Sequence, residues 1–398
     1  MLDAARLAEL ARHPEAAGPS PAALARLVVQ RGWLTRFQVN AVAAGRGKDL
    51  VLGPYLLLDR LGEGGMGAVY KAHHQHMRRV VALKVIRKEK LGSPEAVQRF
   101  YQEVQAAARL HHPNIVLAYD VGQAGATHYF AMEHVEGIDL ARLVKERGRL
   151  PVAQACEHAR QAALGLQHLH EKGLVHRDIK PSNLLLARPA EVIKLLDMGL
   201  ARAQGAADTG MTRLGAVLGT PDYLAPEQAL NSRAADVRTD LYSLGCTLFF
   251  LLTGRPPFAG ETLTEVLLKH QTEKPPTLAE NGVKAPPRLQ QVLDRLMAKK
   301  PEARYQTPAE LIADLAPYCG AARTVEDAPR SGGGGEAHAE SVWGRLGDSG
   351  EKPAARRLGL SRTSVEGADA GAGVRRRLLL LVGAGVAALL LFAAPFVL

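Results

Sequence analysis

Two runs rich in strand-forming residues follow a glycine-rich stretch at residues 61–69. They cover residues 68–71 (Ala-Val-Tyr-Lys) and 80–86 (Val-Val-Ala-Leu-Lys-Val-Ile). Residues of these types favour the pleated backbone of a sheet, so the pattern predicts that the glycine-rich stretch joins two strands. A dinucleotide-binding fold is disfavoured, because its glycines open a helix. An ordinary glycine-rich hairpin turn is the other interpretation of this stretch taken alone.

A helix is predicted to begin after residue 93. Ser93 suits the N-cap position and Pro94 suits the first helical position. Glu103 borders the apolar stripe of this helix, while Lys84 stands among apolar residues in the predicted strand before it. A lysine buried in a strand is costly without a charged partner. The apolar stripe consists of Val97, Phe100, Val104 and Ala108.

Both ends of the chain carry patterns of their own. Residues 22–29 and 34–42 have short helical patterns, and residues 1–50 are interpreted as a helical segment of unknown role that docks on the rest of the chain or on a partner. Residues 1–12 mix charged with apolar residues, which is not the pattern of a secretory signal peptide.

The C-terminal residues 378–398 contain no charged or amide side chain. At 1.5 Å per residue, a helix of this length crosses roughly 30 Å of hydrocarbon, so one transmembrane helix is predicted here. Residues 375–377 are three arginines, which are expected on the cytoplasmic side of a cell membrane. Residues 320–375 are rich in Gly, Ala, Ser and mixed charge and are interpreted as a flexible juxtamembrane linker.

The net charge of +10 raises nucleic acid as a partner, but the basic residues are scattered without an aromatic-basic stripe, so no nucleic-acid binding is expected. Cys156, Cys246 and Cys319 lie far apart, which excludes a metal-ligand spacing and predicts buried thiols in a reducing compartment.

Residues 176–183 read His-Arg-Asp-Ile-Lys-Pro-Ser-Asn, and residues 197–199 read Asp-Met-Gly. Acidic residues, an amide and a lysine at this spacing are what phosphoryl transfer from Mg-ATP requires, since that reaction depends on positioning and on neutralising charge. The first motif resembles the catalytic loop of eukaryotic-like protein Ser/Thr kinases, a family that includes membrane-anchored bacterial kinases. The second resembles their D-F-G motif, with Met198 in place of the usual Phe. Met is apolar and flexible and fills irregular gaps, so its packing role is expected to persist.

The resemblance implies a role for each catalytic residue. Asp178 accepts the proton of the substrate hydroxyl, Lys180 neutralises the γ-phosphate, and Asn183 and Asp197 hold Mg²⁺. Lys84 holds the α- and β-phosphates and pairs with Glu103.

The resemblance also implies an ATP site. The glycine-rich stretch fits the loop that covers the phosphates, and Met132 corresponds to the gatekeeper of the adenine pocket. Glu133 and Val135 offer backbone groups to the purine. The remaining predicted ATP-binding residues are Leu61, Gly62, Gly64, Gly67, Val69, Ala82 and Leu185.

Residues 219–227 resemble the Gly-Thr-Pro to Ala-Pro-Glu segment that forms the shelf for the acceptor residue, with Thr220 in the shelf. Arg304 matches the arginine that pairs with Glu227, and Asp240 matches the acid that braces the catalytic loop. Arg177, directly before Asp178, implies control by phosphorylation of the loop between Asp197 and Glu227. The candidate phosphosites are Thr209 and Thr212.

We therefore predict an α+β, two-lobed protein kinase fold over residues 52–318, with a small β-rich N-lobe containing one helix, a larger helical C-lobe and ATP between them. The expected activity is transfer of the γ-phosphate of Mg-ATP to Ser or Thr of cytoplasmic protein substrates, with autophosphorylation in trans between copies, as in a homodimer. A membrane-anchored pseudokinase scaffold is the alternative, against which all four of Lys84, Asp178, Asn183 and Asp197 are present. A small-molecule kinase is a weaker alternative, against which residues 219–227 argue.

Overall fold

The computed structural model describes residues 2–12, 21–197, 221–230 and 235–319 of the chain. These residues form two compact units. The first contains residues 2–12, 21–64 and 68–83, and the second contains residues 65–67, 84–197, 221–230 and 235–319.

The first unit begins with helices α1 (Ala4–Arg12), α2 (Pro21–Gln30) and α3 (Arg36–Ala43). Helix α3 starts at a capping box, in which the Thr35 side chain accepts a hydrogen bond from Gln38 N and the Gln38 side chain accepts one from Thr35 N. These reciprocal bonds satisfy two backbone donors that a helix start leaves open. The two predicted helical patterns are thus confirmed as α2 and α3, whereas α1 was not predicted.

The strands that lie wholly or mostly in the first unit are β1 (Val51–Leu52), β2 (Tyr55–Gly64), β3 (Gly67–His74) and β4 (Arg79–Ile86), neighbours in that order. Gly67 of β3 and residues 84–86 of β4 belong to the second unit. The glycine-rich stretch forms the turn between β2 and β3, as predicted. An added Cβ at Gly67 would lie 1.8 Å from the Val85 carbonyl oxygen, so only glycine fits there.

The second unit contains helix α4 (Pro94–Ala107), which begins where predicted, since the Ser93 hydroxyl accepts a hydrogen bond from Ala96 N. The helix buries the apolar side chains of Phe100, Val104 and Ala107. An antiparallel hairpin of β5 (Ala118–Ala124) and β6 (Thr127–Glu133) follows.

A small three-stranded sheet carries the segments that hold the predicted catalytic residues. Its strands are β7 (Gly137–Asp139), β8 (Leu184–Ala187) and β9 (Val192–Leu195), in the order β7-β8-β9, and both neighbouring pairs are antiparallel. Residues 176–183 lead into β8 and residues 196–197 follow β9. Because β8 pairs with β9 (Leu184 opposite Leu195), this sheet brings Asn183 and Asp197 to the same edge.

Helices form most of the rest of the second unit. Helix α8 is buried along nearly its whole length and packs against α6 and α10. It ends at Gly254, whose φ of 81° is the left-handed conformation that glycine adopts readily. The helices are α5 (Leu140–Arg147), α6 (Val152–Glu171), α7 (Pro226–Leu230), α8 (Val237–Thr253), α9 (Leu263–Thr272), α10 (Pro287–Leu296) and α11 (Pro308–Leu315).

The three cysteines lie on or beside these helices. Cys156 and Cys246 are buried, as predicted. The prediction of a buried thiol is wrong for Cys319, which is half-buried because it follows the last helix of the described residues.

Among the helices of the described ranges, none combines the length and the apolar character needed to span a bilayer.

Several predictions concern residues outside the described ranges. The predictions outside these ranges are those for Met198, Thr209, Thr212, Thr220, the linker 320–375 and the transmembrane helix 378–398.

Candidate active site

The backbone of the catalytic loop is fixed by one buried carboxylate from α8. Asp240 Oδ2 accepts a hydrogen bond from His176 N and Asp240 Oδ1 accepts one from Arg177 N, both at 2.7 Å. Burial raises the pKa of Asp240 to about 7, against the lowering effect of these two N–H donors. The predicted bracing of the catalytic loop by Asp240 is confirmed.

The same loop is tied to the segment that follows β9. His176 is fully buried, and its Nε2 lies 2.8 Å from the Leu196 carbonyl oxygen. Arg177 has a positive φ of 65°, an uncommon backbone conformation for a residue other than glycine. These constraints hold the loop in a shape that it would not adopt alone.

Three of the predicted catalytic residues meet at this loop. Asn183 Nδ2 donates to the Asp178 carbonyl oxygen at 2.8 Å and to Asp178 Oδ2 at 2.9 Å. Lys180 Nζ lies 3.1 Å from the same Asp178 Oδ2. A carboxylate held by an amide and an ammonium is oriented before any substrate arrives, which is the arrangement that a general base requires.

Lys84 and Asp197 form an ion pair in which the lysine side chain is buried and the aspartate side chain is 36% exposed. Lys84 Nζ lies 2.8 Å from Asp197 Oδ1, and Lys84 is 5% exposed. Although burial alone would raise it, the pKa of Asp197 is lowered because Lys84 stabilises the carboxylate by charge and by a hydrogen bond. Asp197 has a positive φ of 48°. The contact with Lys84 therefore favours the ionised form of Asp197.

The predicted ion pair between Lys84 and Glu103 is wrong for this structure. The Lys84 ammonium is paired with Asp197, while Glu103 Oε2 is buried without a hydrogen-bond partner among the described residues. Burial raises the pKa of Glu103 to about 7, although the charges of Arg177 and Arg99 lower it in part. The carboxylate that contacts the Lys84 ammonium is thus that of Asp197.

Asn183 and Asp197 are suited to a hard divalent cation. Leu196 N donates to the Asn183 carbonyl oxygen at 2.9 Å. Because Asp197 directly follows Leu196, this bond holds Asn183 and Asp197 close together. Because the Asn183 amide nitrogen is bonded to Asp178, its amide oxygen is the side-chain atom that would be a ligand if a cation were bound. The described residues contain no group of three or more His, Cys, Asp or Glu side chains arranged for a metal. Mg²⁺ does not require such a group, since it keeps several waters and binds substrate phosphates.

A buried ion pair anchors the segment after the predicted shelf. Arg304 Nη1 and Nη2 contact Glu227 Oε1 and Oε2 at 2.7 and 2.9 Å, and Arg304 is 1% exposed. Thr239 Oγ1 also donates to Glu227 Oε1 at 2.8 Å. The predicted pair of Arg304 and Glu227 is confirmed, and its planar bidentate geometry fixes the start of α7.

Gln228 is a contact that sequence reasoning missed. Its Nε2 donates to the Arg177 carbonyl oxygen at 3.1 Å, and its Oε1 accepts from Ala225 N at 3.3 Å. One side chain thus joins the residue before Asp178 to the shelf segment. The only signal in the sequence was an amide next to Glu227. A shallow depression at this junction is lined by Arg177, Asp178, Ile179, Lys180, Tyr223, Leu224, Gln228 and Ser243.

The residues predicted to contact adenine lie on strands or beside them. In the first unit, Leu61 and Ala82 are buried and Val69 is half-buried. In the second unit, Met132, Val135 and Leu185 are buried. The Glu133 N–H donates to the Leu117 carbonyl oxygen at 2.8 Å, and its carboxylate pairs with Lys194.

Replacing Arg304 by methionine should lower the free energy of unfolding by about 3–5 kcal/mol, because Glu227 would stay buried without its counter-ion. Urea denaturation followed by tryptophan fluorescence or circular dichroism measures this change. The double variant Arg304→Met/Glu227→Leu should recover part of the loss, since no unpaired charge remains. A double variant as unstable as the sum of the two single changes would contradict this account.

The free energy of unfolding should fall as pH rises from about 4.5 to about 7 through Glu103, because its folded-state pKa is about 7 and its usual value is 4.5. The folded protein binds more protons on Glu103 than the unfolded chain in this window, so rising pH favours unfolding. Glu103→Gln cannot titrate. Relative to wild type, it should be more stabilising at pH 7.5 than at pH 5, as measured by urea denaturation at both pH values. An equal difference at the two pH values would argue against a buried Glu103.

The described geometry has close counterparts among known proteins. Residues 55–314 match the family model described as protein kinase domain. The serine/threonine-protein kinase PknB of Mycobacterium leprae is 42% identical over 267 residues, which cover 66% of this chain and 42% of that protein. A probable serine/threonine-protein kinase of Streptomyces coelicolor, SCO3848, is 39% identical over 267 residues, covering 66% of this chain and 39% of that protein. The matched region thus spans less than half the length of these curated relatives.

Solved structures agree with the sequence relatives. The kinase domain of PknI from Mycobacterium tuberculosis superposes with a TM-score of 0.55 at 28% identity, covering 68% of this chain and 98% of that chain. Rad53 in complex with AMP-PNP superposes with a TM-score of 0.54 at 25% identity, covering 67% of this chain and 65% of that chain. The chain therefore belongs to the protein kinase domain family, with the β-rich N-lobe and helical C-lobe of that fold, and its relatives by sequence are bacterial serine/threonine-protein kinases.

Proposed function

We propose that this protein transfers the γ-phosphate of Mg-ATP to Ser or Thr hydroxyls of cytoplasmic proteins. The observation that carries the proposal is the meeting of Asp178, Lys180 and Asn183, with contacts of 2.8–3.1 Å, on a loop braced by Asp240. In the proposed reaction, Asp178 takes the proton of the acceptor hydroxyl as its oxygen bonds to the γ-phosphorus. The bond from that phosphorus to the bridging oxygen breaks, and ADP leaves.

Charge neutralisation is the second part of the proposed mechanism. Lys180 would face the transferred phosphoryl group, and Asn183 and Asp197 would hold Mg²⁺, which would neutralise charge on the phosphates. Lys84 contacts the α- and β-phosphates. Its pair with Asp197 compensates the cost of burying the ammonium and holds it in place for phosphate.

The proposed nucleotide site uses the predicted apolar residues for the adenine ring, with Met132 as the gatekeeper. The Glu133 N–H already donates to Leu117 O, so we assign its carbonyl oxygen, together with backbone groups of Val135, to the purine edge. Gly62, Gly64 and Gly67 let the backbone approach the phosphates. The remaining apolar contacts are Leu61, Val69, Ala82 and Leu185.

A pseudokinase scaffold is the competing proposal. It would need a lost or misplaced catalytic group, but Asp178 is oriented by two side chains and Lys84 and Asp197 are paired. The proposal of an active enzyme is therefore preferred.

Asp178→Asn should lower phosphate transfer from labelled ATP to dephosphorylated casein by about 10²–10⁴-fold, because the amide cannot accept the hydroxyl proton. Nucleotide binding, measured by titration with a fluorescent ATP analogue, should persist. The matched control is Glu273→Gln, an acid-to-amide change at an exposed position, which should keep full activity. Transfer at the wild-type rate by Asp178→Asn would refute the mechanism.

Wild type and Asp178→Asn also test the proposed regulation by phosphorylation. We propose that Thr209 or Thr212 is phosphorylated in trans by a second copy within a homodimer, and that Thr220 belongs to the acceptor shelf. A phosphate carries about −1.5 to −2 charges and binds guanidinium groups such as that of Arg177. Intact-mass and fragment analysis should find phosphate at Thr209 or Thr212 in the wild type and not in Asp178→Asn.

We further propose that residues 378–398 anchor the protein in the cell membrane as a single-pass helix, with the kinase domain on the cytoplasmic side. The proposal rests on the uncharged sequence and on the three arginines before it. The full chain should fractionate with membranes and resist extraction by high salt, whereas detergent should release it. A matched chain ending at residue 374 should be soluble. Full-length protein in the soluble fraction without detergent would exclude the anchor.

A further inference from the structure

Helix α3 bonds to the backbone of the strand that leads into the glycine-rich turn. Gln38 Nε2 donates to the Leu57 carbonyl oxygen at 2.8 Å, and Thr35 Oγ1 donates to the Leu58 carbonyl oxygen. Both carbonyls belong to β2, a few residues before Gly62. Strand β1 pairs with β2 only at Tyr55 and Leu56. The bonds from Thr35 and Gln38 reach the next two residues of β2, where that pairing has ended.

Both the oxygen and the nitrogen of the Gln38 side-chain amide form hydrogen bonds. Its Oε1 accepts from Thr35 N at 3.0 Å in the capping box, while its Nε2 holds the Leu57 carbonyl oxygen. The side chain is 2% exposed. A buried amide whose two ends are bonded to different elements fixes one element against the other, since either bond alone would leave a buried polar group unsatisfied.

The same helix also contacts the strand that leaves the turn. The Phe37 ring lies 5.9 Å from the Tyr70 ring, tilted by 51°. Tyr70 is on β3, shortly after Gly67. Helix α3 therefore contacts both arms of the hairpin whose turn carries the glycines.

The helix is itself held in place by an apolar cluster in the first unit. Its Ala41 is buried, as are side chains of α2 and of the segments on either side of α3. Residues 21–50 thus form a packed layer. The other buried residues of this layer are Leu27, Val28, Leu34 and Leu50.

We infer that residues 21–50 clamp the base of the glycine-rich hairpin and thereby set the position of its turn for ATP, with Gln38 and Thr35 as positioning residues. This inference rests on the proposed use of ATP. A turn whose two strands are fixed loses less freedom when a nucleotide binds, so the clamp strengthens nucleotide binding by preorganisation. It assigns a role to the N-terminal segment, for which the sequence alone gave none.

The test is Gln38→Glu in the full chain. The carboxylate keeps an oxygen for Thr35 N and so preserves the capping box, but it places an oxygen against the Leu57 carbonyl in place of a donor. We expect the KM for ATP to rise about fivefold while kcat changes by less than about twofold, because ground-state binding is weakened and the catalytic residues are untouched. Asn40→Ala, at an exposed position of the same helix, is the matched control and should leave both constants unchanged.

A second readout does not depend on activity. Amide hydrogen exchange in peptides covering residues 59–70, measured without nucleotide, should be faster in Gln38→Glu than in wild type and unchanged in Asn40→Ala. If the wild type transferred no phosphate, the proposed function would fail, but the exchange experiment would still decide whether the clamp exists.

A lower unfolding temperature with an unchanged KM for ATP and unchanged exchange in residues 59–70 would mean that the segment only adds stability, and would overturn the inference. Should Gln38→Glu fail to fold, Thr35→Val and Thr35→Ser carry the same test. Serine keeps the hydroxyl that bonds to Leu58 O and should behave like wild type. Valine has the same shape without the donor and should raise the KM; equal values for the two variants would refute the clamp.

Discussion

The second unit depends on the burial of one carboxylate, that of Asp240, beneath the catalytic loop. Helix α8 is almost wholly buried, so its position is set by the core. Asp240 fixes the catalytic loop relative to that helix, because its carboxylate accepts short hydrogen bonds from two consecutive backbone N–H groups of the loop. With the loop backbone fixed, Asp178 and Asn183 need only their own short contacts to be oriented. Arg304 and Glu227 do the same for the neighbouring segment, and Gln228 links the two.

The charges around Lys84 illustrate how burial decides between partners. An ammonium that is 5% exposed requires a carboxylate, and both Glu103 and Asp197 are placed in the second unit with it. Asp197 makes the contact and keeps its charge, so its pKa falls. Desolvation has the largest effect on the Glu103 carboxyl group, and it raises the pKa of that group. The contact with Lys84 lowers the pKa of one acid, and burial raises the pKa of the other.

Sequence patterns predicted those parts of the fold that local chemistry determines. Ser93 and Pro94 marked the start of α4, and strand-forming runs on the C-terminal side of the glycines marked a hairpin turn, because caps and strand periodicity act over a few residues. The bracing by Asp240 and the pair of Arg304 with Glu227 came from the family resemblance. Neither the choice of Asp197 over Glu103 nor the contact of Gln228 could be derived, since both depend on distances between segments far apart in the chain.

The N-terminal layer separates the boundary of the family match from the boundary of the folded unit. The match to the protein kinase domain begins at residue 55, within the first residues of β2. Yet the carbonyl oxygens of Leu57 and Leu58 are bonded to side chains that lie about twenty residues earlier in the chain. A chain cut at the family boundary would lose both donors and leave the Leu57 carbonyl without the buried amide that satisfies it. The strand that leads into the glycine-rich turn is therefore completed by residues that the family pattern does not include, and the physical domain of the first unit extends at least to residue 21.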